Sequence, residues 1–389
     1  MMTNFWKRYD VRLVGIFLAS LLIYLLIAAY YHAPWGYYGT IDAPRFADPW
    51  IARSQTILNG GLLYRDVFTT TPPLTNLLLI PPSLIPIYFG NVNPWATLSY
   101  MMWFSLFNLF TALVLLRMGE LEAEGYRAAV FFLLNPLTFG NTILRRQDES
   151  VVVFFIALAL MLVLQRRHVK AAAAIGLGLL VKLSAAVVLL VAFLHTRKWQ
   201  YLVWPGVVFV LGLAPFLILA GREAIFWDFG TGGAQHPFQY RGVSLVGLWN
   251  QFHTTQIPLL PMSILLVVGT AVATLYVAWK RPGILEGVII LVTAVFLLSP
   301  KLHTGYFSVL VLAMAPLLKN WRTVAAYWLF GLIAIVADFY KWPVVNIEAA
   351  FVWMVITLVL MCWLAFQLCS PALQAVLVSP SSHSTTATH

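Results

Sequence analysis

Apolar runs of close to membrane-spanning length alternate along the chain with short polar turns. They fall at 13–30, 72–90, 97–116, 128–143, 151–164, 171–195, 201–220, 257–279, 284–299, 305–318, 323–340 and 349–368. A helix needs about 20 predominantly apolar residues to cross a bilayer. The pattern therefore predicts an all-α polytopic membrane protein with about 11–13 transmembrane helices, forming one multi-pass domain over 1–368. The segment 369–389 is rich in Ser, Thr and His, lacks that pattern, and reads as a disordered tail.

Two runs are not simple spans. Segment 72–90 contains Pro72, Pro73, Pro81, Pro82 and Pro86, and proline removes a backbone donor and kinks a helix. Segment 171–195 is interrupted by Lys182. It is either one span or a hairpin of two short helices. The basic residues separate these options. If 72–90 spans and 171–195 is one helix, Arg166, Arg167 and Lys170 fall outside. With 72–90 re-entrant or interfacial and 171–195 a hairpin, the loops 7–12, 117–127, 166–170, 197–198, 280–281 and 319–322 all fall inside. Those loops hold fourteen of the 24 Lys and Arg residues, so the second arrangement fits the positive-inside rule better. It gives a cytoplasmic N-terminus, a first outer loop at 32–71 and a larger outer loop at 221–256. It also gathers Asp42, Asp48, Arg145, Asp148, Lys182, Arg241 and His303 on the outer side.

Composition agrees with this class. Of 389 residues 61% are hydrophobic and 10% charged, against about 25% charged in soluble domains. Mean hydropathy is +0.84, which excludes both a soluble domain and a disordered chain. The net charge of +10 belongs to the inter-span clusters, so nucleic acid is not an expected partner. The first run follows Lys7, Arg8 and Arg12 and ends in an aromatic belt, as a retained helix does rather than a cleaved signal. Cys362 and Cys369 suggest no disulfide or metal motif.

Ionisable residues beside or within spans are costly unless paired or hydrated, which makes each a candidate for function. The first outer loop carries Asp42 and Asp48. After Asp48, residues 49–59 read as a short amphipathic helix with Pro49 at its first position and Gly60-Gly61 at its end. Asp48 is either the cap of that helix or a rigidly mounted catalytic carboxylate, and the two roles are compatible. Then come Tyr64-Arg65-Asp66 and, further on, Asn135-Pro136-Leu137 and Arg145-Arg146-Gln147-Asp148-Glu149-Ser150, which opens an apolar helix. There the bland reading is a solvated turn whose acids complement the helix dipole. Lys182 needs an anionic partner. A phosphate would serve, and Asp148 is the competing choice. Tyr240-Arg241-Gly242 and the stretch from Ser299 to Tyr306 complete the set.

These pieces, in this order, resemble the membrane glycosyltransferases of superfamily C. The resemblance is to glycosyltransferase family 87 and, more loosely, to the glycosylphosphatidylinositol mannosyltransferase I group. It covers roughly residues 10–320. Phe46, Arg146 and Ala185 stand where the family pattern has an acid, a Gly or Asn, and a proline. The resemblance implies transfer of a sugar, most often mannose, from a polyprenyl-phosphate sugar donor to a lipid or glycan acceptor at the outer face of the cell membrane. It implies inversion, with Asp48 (or Asp42) as general base. Lys182, Arg145, Arg241, Lys301 and His303 are then expected at the donor phosphate, and Asp148, Gln147, Tyr64 and Asp66 at the acceptor or sugar. No cofactor is expected. The alternatives from the residues themselves are an envelope polysaccharide ligase or polymerase, given Arg222, His236, Arg241 and His253 in the larger loop, and a transporter. Against the transporter, no inverted repeat is evident and the polar residues crowd one interface.

Overall fold

The structure is a computed structural model. It describes residues 9–31, 49–67, 69, 71–90, 95–119, 121–145, 147–224, 241–255, 257–338 and 346–378. Within these the chain is helical almost throughout. α1 (Tyr9–Tyr31) is followed by the short α2 (Pro49–Leu58), α3 (Pro73–Leu78) and α4 (Ile80–Phe89), then by α5 (Trp95–Leu116) and α6 (Glu122–Leu134). α7 (Pro136–Phe139) runs into one π-helical turn, Gly140–Leu144. α8 (Glu149–Leu164), α9 (His168–Val181), α10 (Ala186–Thr196) and α11 (Gln200–Ala220) follow. The rest comprises α12 (Leu245–Phe252), α13 (Leu259–Lys280), α14 (Ile284–Leu298), α15 (Ser308–Met314), α16 (Trp321–Asp338) and α17 (Ile347–Val378). Among the described residues, six helices are long and apolar enough to cross a membrane, within α1, α5, α11, α13, α16 and α17. Shorter apolar helices pack among them. Among the described residues, strand pairing is limited to a two-residue parallel ladder, Arg241 opposite Lys301 and Gly242 opposite Leu302, and an isolated bridge between Leu63 and Val67. α17 runs on to Val378, past the boundary drawn at 368; residues 379–389 lie outside the described set.

The proline-rich run is two short helices broken at Leu79. Its second helix packs against α2 and the start of α5. Ser83 Oγ donates to Ser54 Oγ of α2 at 2.8 Å and lies 2.6 Å from the Tyr100 hydroxyl of α5, and Ser99 Oγ donates to the Pro82 carbonyl. At 1.5 Å per residue neither helix could cross a bilayer. The Lys182 run is a hairpin. α9 ends at Lys182, whose backbone is extended, and a 3-10 turn leads into α10. The far ends of the two arms meet again, because His168 at the start of α9 and His195 near the end of α10 line one cavity.

α9 can be buried between α8 and α11 because it is made of small residues. Ala171, Ala172 and Ala174 are buried. A Cβ on Gly176 would lie 2.6 Å from Val208, and one on Gly212 would lie 2.3 Å from Leu180. Lipid tails are as apolar as leucine, so close backbone approach is what holds membrane helices together. The large side chains of α11 and α13 point outward instead: Ile218 is 81% exposed and Leu275 69%. In water such surfaces would aggregate. In a bilayer they face lipid.

Two ends of the bundle can be traced through contacts. At one end lie the start of α1 (Tyr9 against Tyr126 of α6), the α8–α9 turn, the α10–α11 turn and the α13–α14 turn, where Arg197 reaches the Ala278 carbonyl and His195 the Pro282 carbonyl. This end carries the basic loops. At the other lie the start of α8, the Lys182 turn, the α14–α15 connection and the end of α16.

Candidate active site

Asn135-Pro136-Leu137 is a local folding device. The Asn135 side chain accepts from the Leu137 N–H at 3.0 Å, capping α7, and donates to the Tyr327 carbonyl at 2.9 Å. Pro136 occupies the first helical position, where its missing donor costs nothing. The π turn that follows ends at Arg145, whose guanidinium is 2.5 Å from Asp338 Oδ2 at the end of α16. Arg145 also meets the Thr304 hydroxyl, and that hydroxyl donates to Asp338 at 2.6 Å. Arg145 and Asp338 are almost wholly buried. π turns recur at functional sites.

Lys182 sits beside this pair. Its ammonium is 2.8 Å from Asp148 Oδ1 and 2.7 Å from Glu149 Oε1, and 5.9 Å from the centre of the Tyr306 ring. Asp148 and Glu149 stand at the N-terminus of α8, where the dipole favours negative charge. Glu149 is pressed against Gly305, at which a Cβ would lie 2.7 Å from its Cδ; its second oxygen, Oε2, is buried without a hydrogen bond. Gln147 bonds through its N–H to the Asn141 carbonyl at 2.8 Å and through its side chain to the Arg145 carbonyl. The His303 ring stands edge-on to Tyr306, with centroids 5.5 Å apart. The strand bridge sets Arg241 in register with Lys301 and is pinned by the Ser244 hydroxyl on the Pro300 carbonyl at 2.7 Å.

The stretch from Tyr64 to Asn76 packs onto the same end. Thr75 Oγ1 of α3 donates to the Val181 carbonyl at 2.6 Å, directly under the Lys182 turn. Asn76 donates to the Thr71 and Pro72 carbonyls. Tyr64 is buried in a left-handed conformation (φ 72°) and donates to the Thr71 carbonyl at 2.9 Å. Its ring meets Phe216 in the last turns of α11. Asp66 is exposed. The Arg65 side chain and then the Leu62 N–H hold its carboxyl down to about 2.

The structure thus brings Arg145, Gln147, Asp148, Lys182, Lys301, His303 and the backbone of Arg241 to one end of the bundle, with Tyr64 and Asp66 in the loop above. Lys182 has the partner named as the competitor of phosphate, and a second in Glu149. Asp42 and Asp48 lie outside the described residues, although Pro49, just after Asp48, opens α2. Two participants escaped the sequence reading, Asp338 and Thr75; Thr304 lies in the Ser299–Tyr306 stretch without a role of its own. Asp338 alone carried a usable signal, as an acid near the end of the apolar run 323–340. Around Lys182 and Arg145, two cations face three carboxylates. Among the described residues no three His, Cys, Asp or Glu side chains cluster as a metal site requires.

No curated protein matches the sequence. Among solved structures, the crystal structure of ArnT from Cupriavidus metallidurans in the apo state is similar, with a TM-score of 0.46 and 14% identity over 92% of this chain and 77% of that one. The profile of glycosyltransferase family 87 matches residues 68–300, more than half of the chain. That stretch holds the proline-rich helices, the α8 start, the Lys182 hairpin and the Arg241–Gly242 strand, and stops just before Lys301. It is the family that the order of motifs resembles, and the chain is a multi-pass membrane glycosyltransferase belonging to glycosyltransferase family 87.

Proposed function

We propose that this glycosyltransferase takes a sugar, mannose first among the options, from a polyprenyl-phosphate donor and transfers it with inversion to a lipid or glycan acceptor at the outer face of the cell membrane. The observation that carries the reading is the separation of the two ends. Arg145, Asp148, Lys182 and Lys301 share one end of the bundle, and the basic loops 166–170, 197–198 and 280–281 share the other. With the basic loops inside, the site faces outward, where a lipid-linked donor rather than a soluble nucleotide sugar is the fitting substrate.

In this reading the acceptor hydroxyl gives its proton to Asp48, with Asp42 as the second choice. Its oxygen attacks the anomeric carbon from the face opposite the phosphate. The sugar–oxygen bond breaks and its electron pair leaves with the polyprenyl phosphate, which needs cations rather than a strong acid. Lys182 and Arg145 are already engaged by carboxylates. Arg241, Lys301 and His303 belong to the same end and remain the further candidates for the phosphate, while the Lys182 and Arg145 pairs form the walls of the site. Gln147, Tyr64 and Asp66 remain candidates for shaping the acceptor side.

The test is direct. Membranes containing the protein are incubated with polyprenyl-phosphate mannose, glucose and arabinose, each radiolabelled in the sugar. The proposal expects label from one of these, mannose foremost, in a lipid or glycan product. Transfer only from a nucleotide sugar would overturn it.

A further inference from the structure

The end remote from the site holds a cavity of about 420 Å³ where the α8–α9 and α10–α11 turns meet α14. Arg166, His168, His195, Thr196 and Lys198 line it, with Val163 and Ile284 among its apolar walls. Among its described lining residues none is acidic. The two histidines are anchored through Nδ1: His195 lies 3.1 Å from the Pro282 carbonyl and His168 2.9 Å from the Tyr201 hydroxyl. Each is oriented by a neutral neighbour. Lining Leu164 and neighbouring Trp199 are exposed at the same level. Arg166 has a left-handed backbone (φ 58°), a conformation in which glycine is unstrained and arginine is not.

We propose that this cavity binds the phosphate group of an anionic phospholipid. Four basic side chains without an acidic neighbour in the lining call for a polyvalent or well-buried anion. The volume is that of a small-molecule pocket rather than of a single ion. Apolar walls beside the cations, opening at the ends of membrane helices, suit a headgroup whose glycerol and acyl chains continue along the exposed aliphatic surface. Basic pockets between helices at the inner leaflet take anionic headgroups by this chemistry. The site is separate from the transfer site and does not depend on the identity of the sugar.

The experiment is native mass spectrometry of the purified protein in detergent, titrated with dioleoyl phosphatidylglycerol, dioleoyl phosphatidylcholine or inorganic phosphate. Phosphatidylglycerol should bind at least about tenfold more tightly than phosphatidylcholine. A basic residue near an anionic lipid is worth about fivefold in affinity, so the pair Arg166→Gly and Lys198→Gln should lose roughly thirtyfold. Arg166→Gly alone relieves the backbone. It should therefore lose about fivefold in lipid affinity with no fall in the thermal midpoint, which a purely structural arginine would not do. Lys319→Gln removes the same charge from a different loop and should leave lipid affinity unchanged. Equal binding of the two lipids, unchanged affinity in the double variant, or an equal loss in Lys319→Gln would each overturn the proposal. Inorganic phosphate displacing phosphatidylglycerol at equal concentration would reassign the cavity to a free anion and overturn the lipid reading.

Discussion

At one end of the bundle Lys182 and Arg145 are held by Asp148, Glu149 and Asp338. At the other, Arg166, His168, His195 and Lys198 surround a cavity whose described lining contains no acid. The residue types are alike and their surroundings are not. Lys182 lies among helices, at the tip of a hairpin whose first arm has 14 residues and so rises only about 21 Å, short of a hydrocarbon core of about 30 Å. A charge at that depth must be paired or hydrated. The basic loops lie at helix ends, where water and lipid headgroups can balance them. The same density of charge in the sequence therefore means a neutralised wall in one place and an open electrostatic surface in the other.

The contrast fails at once if the two ends do not face opposite sides of the membrane. In a background with Cys362 and Cys369 replaced by alanine, single cysteines at Lys170 and His253 should label oppositely with an impermeant thiol reagent applied to intact cells. Equal labelling would break the comparison.

Lys182→Met should have the next largest effect. It leaves Asp148 and Glu149 facing each other without a cation, and removing one partner of a buried ion pair costs about 3–5 kcal/mol. The loss should appear as reduced stability in detergent unfolding, and Glu149→Gln in the same chain should recover part of it. If Lys182→Met instead unfolds normally and binds donor less well, the lysine is a donor contact and the wall assignment is wrong.

Gly305→Ala is smaller. The added methyl meets the end of the Glu149 side chain, which Lys182 pins at 2.7 Å, so the contact cannot be relieved by a free rotation. A loss of about 1–3 kcal/mol is expected; no loss would mean that Glu149 moves freely. Thr75→Val is smaller again. It keeps the shape and removes the donor to the Val181 carbonyl, which should cost about 1 kcal/mol and leave the apolar core unaffected.

The sequence made the class, the proline break and the hairpin legible because each rests on a local rule: span length, missing donors, and the cost of an isolated lysine. Gly60 illustrates the same point: the Gly60-Gly61 pair signals a stop, and Gly60 follows α2 with a positive φ of 82°. Partners were far less legible. Asp338 meets Arg145 across 193 residues of chain, and Thr75 meets Val181 across 106. Neither pairing follows from spacing or periodicity. Tyr64, expected at the acceptor or sugar, is buried against Phe216 of α11, a contact across 152 residues that its local sequence does not reveal.

The central proposal is that a carboxylate of the segment preceding α2, Asp48 before Asp42, takes the proton from the acceptor. Turnover of labelled polyprenyl-phosphate mannose by purified wild type, Asp48→Asn and Asp42→Asn tests it most directly, with thermal midpoints measured alongside. Asparagine keeps the capping ability of Asp48 and removes its basicity. The account predicts an unchanged midpoint and a turnover lower by about 10²–10⁴-fold for Asp48→Asn. Full activity in Asp48→Asn with loss in Asp42→Asn would move the base to Asp42, and full activity in both would contradict the claim.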